Sequence, residues 1–180
     1  MFEVIKLLIM NSIVIKNGLM AAGAAIILGL VVYLIDPKGF LSWGSWLTLI
    51  PILYFMVSAV KETRNENGGY ISLRQAFTPA WITYLFYAVL SSLFSYILMN
   101  FIDPDLIVMA KEVSIEAIEK MSGLLGEDGV QAAIEKIENE NPFGIQQTLM
   151  GIAITLVFPG ALIALIIAAI MKKTNPEEMA

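Results

Sequence analysis

Four features of this 180-residue chain bear on the chemistry it could do. Gly68-Gly69, within Arg64-Asn65-Glu66-Asn67-Gly68-Gly69-Tyr70-Ile71-Ser72, raises the question of a phosphate-cradling loop. A Walker loop ends in Gly-Lys-Ser/Thr after a buried strand, and a dinucleotide fingerprint needs three glycines in G-x-G-x-x-G. Here two adjacent glycines stand with no following lysine and no strand pattern, so neither nucleotide nor nucleic acid is an expected partner. Asp103 and Asp105 would begin an oxygen-ligand cation site, but the further ligands and the glycine of a calcium loop are missing from DPDLIVMAKE. The third candidate is a hydroxyl face, Tyr84, Tyr87, Ser91 and Ser95, with Ser92 and Tyr96 beside it. At helical spacing it reads either as interhelical hydrogen bonding or as the wall of a polar conduit. The fourth is what the chain lacks: cysteine and histidine are both absent. That removes thiolate and imidazole ligands, disulfides, cysteine nucleophiles and every histidine-containing triad. No catalytic residue, cofactor or metal site is assigned, and no enzyme is expected.

The elements that must position these residues are membrane helices. Hydrophobic residues make up 58% of the chain and charged ones 15%, with mean hydropathy +0.76, whereas soluble domains are about a quarter charged. A helix crossing a hydrocarbon core of about 30 Å needs about 20 apolar residues. Residues 17–35, 40–60, 76–99 and 148–171 qualify, and none of these runs contains Asp, Glu, Lys or Arg. A soluble helical bundle would show a polar face on each helix. The expected fold is therefore all-α: one integral membrane domain over 1–180, with four transmembrane helices and an extracytoplasmic helical hairpin between the third and fourth. The first run continues well past Ala22-Gly23-Ala24, to Ile35, so it reads as a retained anchor rather than a cleaved signal. Residues 2–15 read as an interfacial lead-in or as an early extension of the first helix.

Direction follows from lysine and arginine in the connections. Lys6, Lys16, Lys61, Arg64, Arg74, Lys172 and Lys173 fall on one side; Lys38, Lys111, Lys120 and Lys136 fall on the other. The first side is expected to be cytoplasmic, with both termini, and the segment 100–147 is expected to be exported. Trp43, Trp46 and Trp81 are expected at the interfaces. Gly18/Ala22, Ala25/Gly29 and Gly160/Ala164/Ala168 are spacings that let helix backbones approach within one chain or between copies.

The punctuation is local. Gly68-Gly69 can take positive φ and reverse the chain; Ser72 and Gln75 form a capping box, and Pro79 would kink the helix that follows. Leu34-Ile35-Asp36-Pro37-Lys38 and Phe101-Ile102-Asp103-Pro104-Asp105 are two helix stops. They mark either a duplicated two-helix unit, with Pro51 and Pro159 as matching kinks, or convergence on one good stop signal. In the exported segment, Leu106, Met109, Val113, Ala117, Met121 and Leu124 recur at helical steps, as do Val130, Ala133, Ile134 and Ile137. A glycine-containing turn over 123–129 joins them, with Asp128 and Gln131 as a possible second capping box.

Arg64, Asn67-Gly68-Gly69, Ile71-Ser72 and Gln75-Ala76-Phe77, with Asn100-Phe101-Ile102-Asp103-Pro104-Asp105 and Asn141-Pro142-Phe143, resemble the signature of the bacterial membrane family known as domain of unknown function 4199. The resemblance implies a four-helix inner-membrane protein with an exported loop, and it brings no catalytic residues. Together these readings favour a non-enzymatic accessory, scaffold or envelope component in the bacterial inner membrane, surrounded by lipid and associating with itself or another membrane protein. The alternative is a small transporter or oligomeric channel with an uncharged, hydroxyl-lined path. Ion-coupled transport usually keeps ionisable groups at mid-membrane, and these four runs hold none.

Overall fold

A computed structural model describes the backbone of residues 2–139, 141 and 143–174, and side chains from residue 12 onward within them. Lys6 and Pro142, which enter the readings above, lie outside the described side chains. The elements are α1 (Phe2–Ile35), α2 (Pro37–Leu41), α3 (Gly44–Glu66), α4 (Leu73–Ile97, continuing through a wide π turn to Ile102), α5 (Asp105–Lys120), α6 (Ser122–Asn139), α7 (Ile145–Thr155) and α8 (Leu162–Met171). Four stretches are long and apolar enough to span a membrane: Ser12–Ile35, Gly44–Glu66, Leu73–Ile102 and Ile145–Met171. The all-α expectation holds, and residues 2–15 extend the first helix rather than forming a separate lead-in.

The packing is that of a membrane bundle, with small residues inside and large ones outside. Ala21, Ala22, Ala25, Ala59, Ala76, Ala80, Ala88, Ala164 and Ala168 are buried, whereas Ile27, Leu34, Ile50, Tyr54 and Ile170 face outward. Without water to drive apolar side chains together, helices gain most from close backbone approach. A Cβ on Gly18 would stand 2.5 Å from that of Phe86, so this glycine sets the α1–α4 approach. Helix α4 is the centre of the bundle: α1, α3, α7 and α8 all pack on it.

The end of the bundle carrying the glycine turn is closed tightly. Gly68 and Gly69 have φ of 73° and 89°, and Ser72 and Gln75 form both hydrogen bonds of the capping box. Ile71 and Lys173 exchange backbone hydrogen bonds of 2.9 and 2.8 Å, and the Lys173 ammonium sits 5.4 Å from the centre of the Tyr70 ring. Pro79 is buried within α4.

The two other prolines do not match each other. Pro51 lies within an uninterrupted α3. Before Pro159, Phe158 leaves the helix at φ −142° and ψ 120°, and the fourth span is broken there. Proline disfavours helical geometry in the residue before it. The break is stabilised from α4, because the Trp81 indole N–H donates to the Leu156 carbonyl at 3.0 Å. Trp81 is half-buried beside this break, where its indole N–H gives the Leu156 carbonyl a partner from a neighbouring helix.

In the hairpin, the non-helical residue is Gly126, at φ 70° and ψ 167°. The helical turns that follow begin at residue 127, so Asp128 lies inside the first turn rather than at the cap. There its charge complements the helix dipole.

A hydroxyl-lined cavity and the motif residues around it

The hydroxyl face of α4 divides. Tyr84 turns towards the break in the fourth span, where a Cβ on Gly160 would lie 2.5 Å from the tyrosine ring. Ser91 and Ser95 turn the other way with Tyr87 and line a cavity of about 220 Å³ between α1, α2, α3 and α4. Ser45 and Thr48 of α3 add two more hydroxyls opposite them. Tyr96 makes neither contact; its ring packs edge-on against Phe101.

The cavity exists because α1 offers only Ala25, Ile26 and Gly29 to it. A Cβ on Gly29 would stand 3.3 Å from the Phe40 ring, so this position leaves room for the aromatic wall that α2 contributes. Phe94 and Met99 of α4 and Leu41 of α2 complete the apolar side. Ser45 is the exposed member of the lining, which places the opening beside the first turn of α3. Among the described residues, no Asp, Glu, Lys or Arg contributes to the walls.

The cavity is capped by Phe143, from the connection between α6 and α7, and this is where the sequence signature acts. The Asn100 side chain donates to the Phe143 carbonyl at 2.9 Å and to the Tyr96 carbonyl at 2.9 Å. Asn141 donates to Asn100 Oδ1 at 3.3 Å and accepts from the Phe143 N–H at 2.9 Å. Asp103 accepts from the Tyr33 hydroxyl at 2.8 Å, tying the end of α1 to the end of α4. These motif residues hold one another, and they hold Phe143 over the cavity.

A family model described as "Protein of unknown function (DUF4199)" matches residues 16–173. The chain belongs to that family. No curated protein and no solved structure matches it. Membership in the DUF4199 family names no activity, and the membrane reading rests on the four long apolar helices themselves.

Sequence reasoning missed a polar cluster at the glycine-turn end. Lys16 Nζ donates to Glu62 Oε2 at 2.6 Å, and Ser58 and Asn17 donate to Glu62 Oε1 at 3.2 and 3.3 Å. Asn17, only 1% exposed, also donates to the Ile13 carbonyl at 3.0 Å. The cluster clips α1 to α3 across 46 positions of sequence, and no local pattern connects residues so far apart. At the opposite end, Lys38 of α2 and Glu116 of α5 form an exposed pair at 2.6 Å. The partner's charge lowers the Glu116 pKa and raises that of Lys38, each through the shared hydrogen bond.

The hairpin is only partly seated. Leu106 and Ala110 of α5 are buried, while α6 buries none of its described residues and packs on α5 alone. Leu124 is 84% exposed, with Met121 and Leu125 exposed beside it.

Proposed function

We propose that this DUF4199 member works without catalysing a reaction, as an accessory, scaffold or envelope component of the bacterial inner membrane. Its partner would be another membrane protein or a second copy, engaged through α6. The observation that carries this reading is the apolar edge of the hairpin, Met121, Leu124 and Leu125, which is exposed among the described residues. Apolar clusters left on an aqueous-facing element usually mark an interaction surface. In this proposal both termini are cytoplasmic and the hairpin is outside, by the lysine and arginine bias.

Two kinds of variant test it. The chain has no cysteine, so single cysteines at Ser122 and Asn65 report sidedness. Ser122→Cys should react with an impermeant thiol reagent in intact cells and Asn65→Cys should not; the reverse pattern refutes the orientation. Leu124→Asp should leave thermal stability in detergent unchanged and remove a co-purifying membrane protein or self-association. Val113→Asp with Ile134→Asp, both half-buried in the hairpin, should instead lower stability, because an unpaired carboxylate in packed surroundings costs about 2 kcal/mol or more. If Leu124→Asp changes neither association nor stability, the partner surface is wrong.

A transporter or channel remains the second reading, because five hydroxyls line the cavity. Below it, Ile52, Met56, Tyr84 and Ala88 form a buried apolar cluster, so a path across would require those side chains to part. Substrate-dependent flux in liposomes would favour this reading over the first.

A further inference from the structure

The cavity under Phe143 has the chemistry of a binding site for an uncharged amphiphile, and this holds whether or not the hairpin engages a partner. Two of its hydroxyls are already spent: Thr48 donates to the Ser45 carbonyl at 2.7 Å and Ser45 to the Ser42 carbonyl at 3.1 Å. Ser91 Oγ is different. It is shielded and has no hydrogen-bond partner among the described residues, and a turn about the Cα–Cβ bond would bring it to the cavity that Ser91 lines. A serine in a membrane helix commonly bonds back to the carbonyl one turn earlier, so an uncommitted one beside a cavity is a donor and acceptor kept for something else. A buried hydroxyl left unpaired is costly, and an occupant that pairs with it recovers that cost.

The walls restrict what the occupant can be. They offer hydroxyls and no charged group, so a carboxylate, phosphate or ammonium would be buried without a counter-charge. The remaining surface is aromatic and aliphatic, which suits an apolar chain better than a cluster of waters. At about 220 Å³ the space matches the head and first several carbons of a single chain rather than a whole lipid. The opening beside Ser45 lets the rest of that chain extend outward. We propose that this cavity binds a neutral single-chain amphiphile whose head is a hydroxyl, seated against Ser91 and Ser95 beneath Phe143.

The test uses the full-length protein in detergent and a decanol carrying an aliphatic diazirine as the probe. After illumination, adducts mapped by mass spectrometry should fall on residues 25–29 of α1 or 91–99 of α4. Decanol should compete at least about tenfold more effectively than decanoate or decylammonium, since each ion would enter without a counter-charge. Ser91→Ala should weaken competition by decanol about fivefold, the effect of one hydrogen bond, while the thermal midpoint of the empty protein does not fall, since an unpaired hydroxyl is removed. Gly29→Leu, which fills the space beside Phe40, should abolish labelling; if that variant does not fold, Ser91→Ala decides. Adducts spread over outward residues such as Ile50 and Tyr54 would overturn the proposal. So would equal competition by the ions, or a Ser91→Ala protein that competes like the parent.

Discussion

The two Asp-Pro corners have nearly the same backbone and very different sequels. Asp36 stands at φ −149° and ψ 90°, and Asp103 at φ −138° and ψ 80°. Each amide closes on an upstream carbonyl at 2.7 Å, that of Val32 for the first and Leu98 for the second. The first corner then makes a five-residue helix and returns at once into the membrane run. The second makes the sixteen residues of α5 and a whole hairpin before returning. Proline disfavours helical geometry in the residue before it, so the corner is local and its sequel depends on how soon an apolar run follows. The returning helices differ too, with Pro51 inside a continuous α3 and Pro159 at a break. The likeness stops at the corners, and a shared stop signal accounts for it without a duplicated unit.

The largest effect should come from the residue after each proline. That residue is Ile52 in α3 and Gly160 in the fourth span, both buried. A Cβ at Gly160 would lie 2.5 Å from the Tyr84 ring and 2.7 Å from the Thr155 carbonyl oxygen, and the carbonyl belongs to the backbone and yields little. Gly160→Val should therefore destabilise by about 3 kcal/mol, at the upper end for overpacking, read as a lowered unfolding midpoint in detergent. Gly151→Val is the control, because nothing lies within 4 Å of a Cβ there. If both variants unfold alike, close packing at the break is not what holds the second half.

The corner between α3 and α4 is made by glycine instead of proline, and it sharpens the contrast. No atom lies within 4 Å of a Cβ at Gly68 or Gly69, so alanine there meets only the backbone cost of positive φ. The double variant Gly68→Ala with Gly69→Ala should lose about 2 kcal/mol, about 1 kcal/mol per position. A loss near zero would mean that the turn relaxes to negative φ. The two aspartates should separate next. Asp103→Ala removes the acceptor of a part-buried Tyr33 hydroxyl and should cost about 1 to 2 kcal/mol. Asp36 meets Trp43 Nε1 at a long 3.4 Å in an exposed setting and makes no side-chain cap bond, so Asp36→Ala should cost about 0.5 kcal/mol. Equal losses would show that the Tyr33 bond adds nothing to the second corner.

What was legible in the sequence was whatever a run or a neighbour could encode. The four spans follow from uncharged length, and the glycine turn with its Ser72–Gln75 cap follows from residues three apart. The cavity was half legible: Tyr87, Ser91 and Ser95 share a face by helical spacing. Their partners Ser45 and Thr48, and the Phe143 cap, come from other elements and could not be assigned to them. Lys16 and Glu62 were counted or passed over as separate charges for the same reason. The break at Phe158 had a signal in Pro159, yet Pro51 carries the same signal and leaves its helix whole. The difference lies in tertiary partners: Trp81 takes the Leu156 carbonyl, and Gly160 admits Tyr84.

The smallest effect concerns what ties the two corners' sequels together, the Lys38–Glu116 pair between α2 and α5. Glu116 has its pKa lowered from the ordinary 4.5, so its contribution is full above that value and disappears as pH falls through the lower, folded pKa. Lys38 has its pKa raised from the ordinary 10.5, so its contribution is full below that value and is lost as pH rises through the higher, folded one. Between those limits the pair should not depend on pH. Both groups are exposed, and salt should screen them. Protection of the α5 amides against hydrogen exchange, taken relative to the intrinsic rate at each pH, should accordingly be level through the neutral range and slightly weaker once Glu116 is protonated, with the acid step reduced in high salt. Lys38→Gln should remove most of that step, because only the weaker pull of Lys120 then favours the carboxylate. An acid step of unchanged size in Lys38→Gln would assign it to another carboxylate of the hairpin, and the seating of α5 would then rest on Leu106 and Ala110 alone.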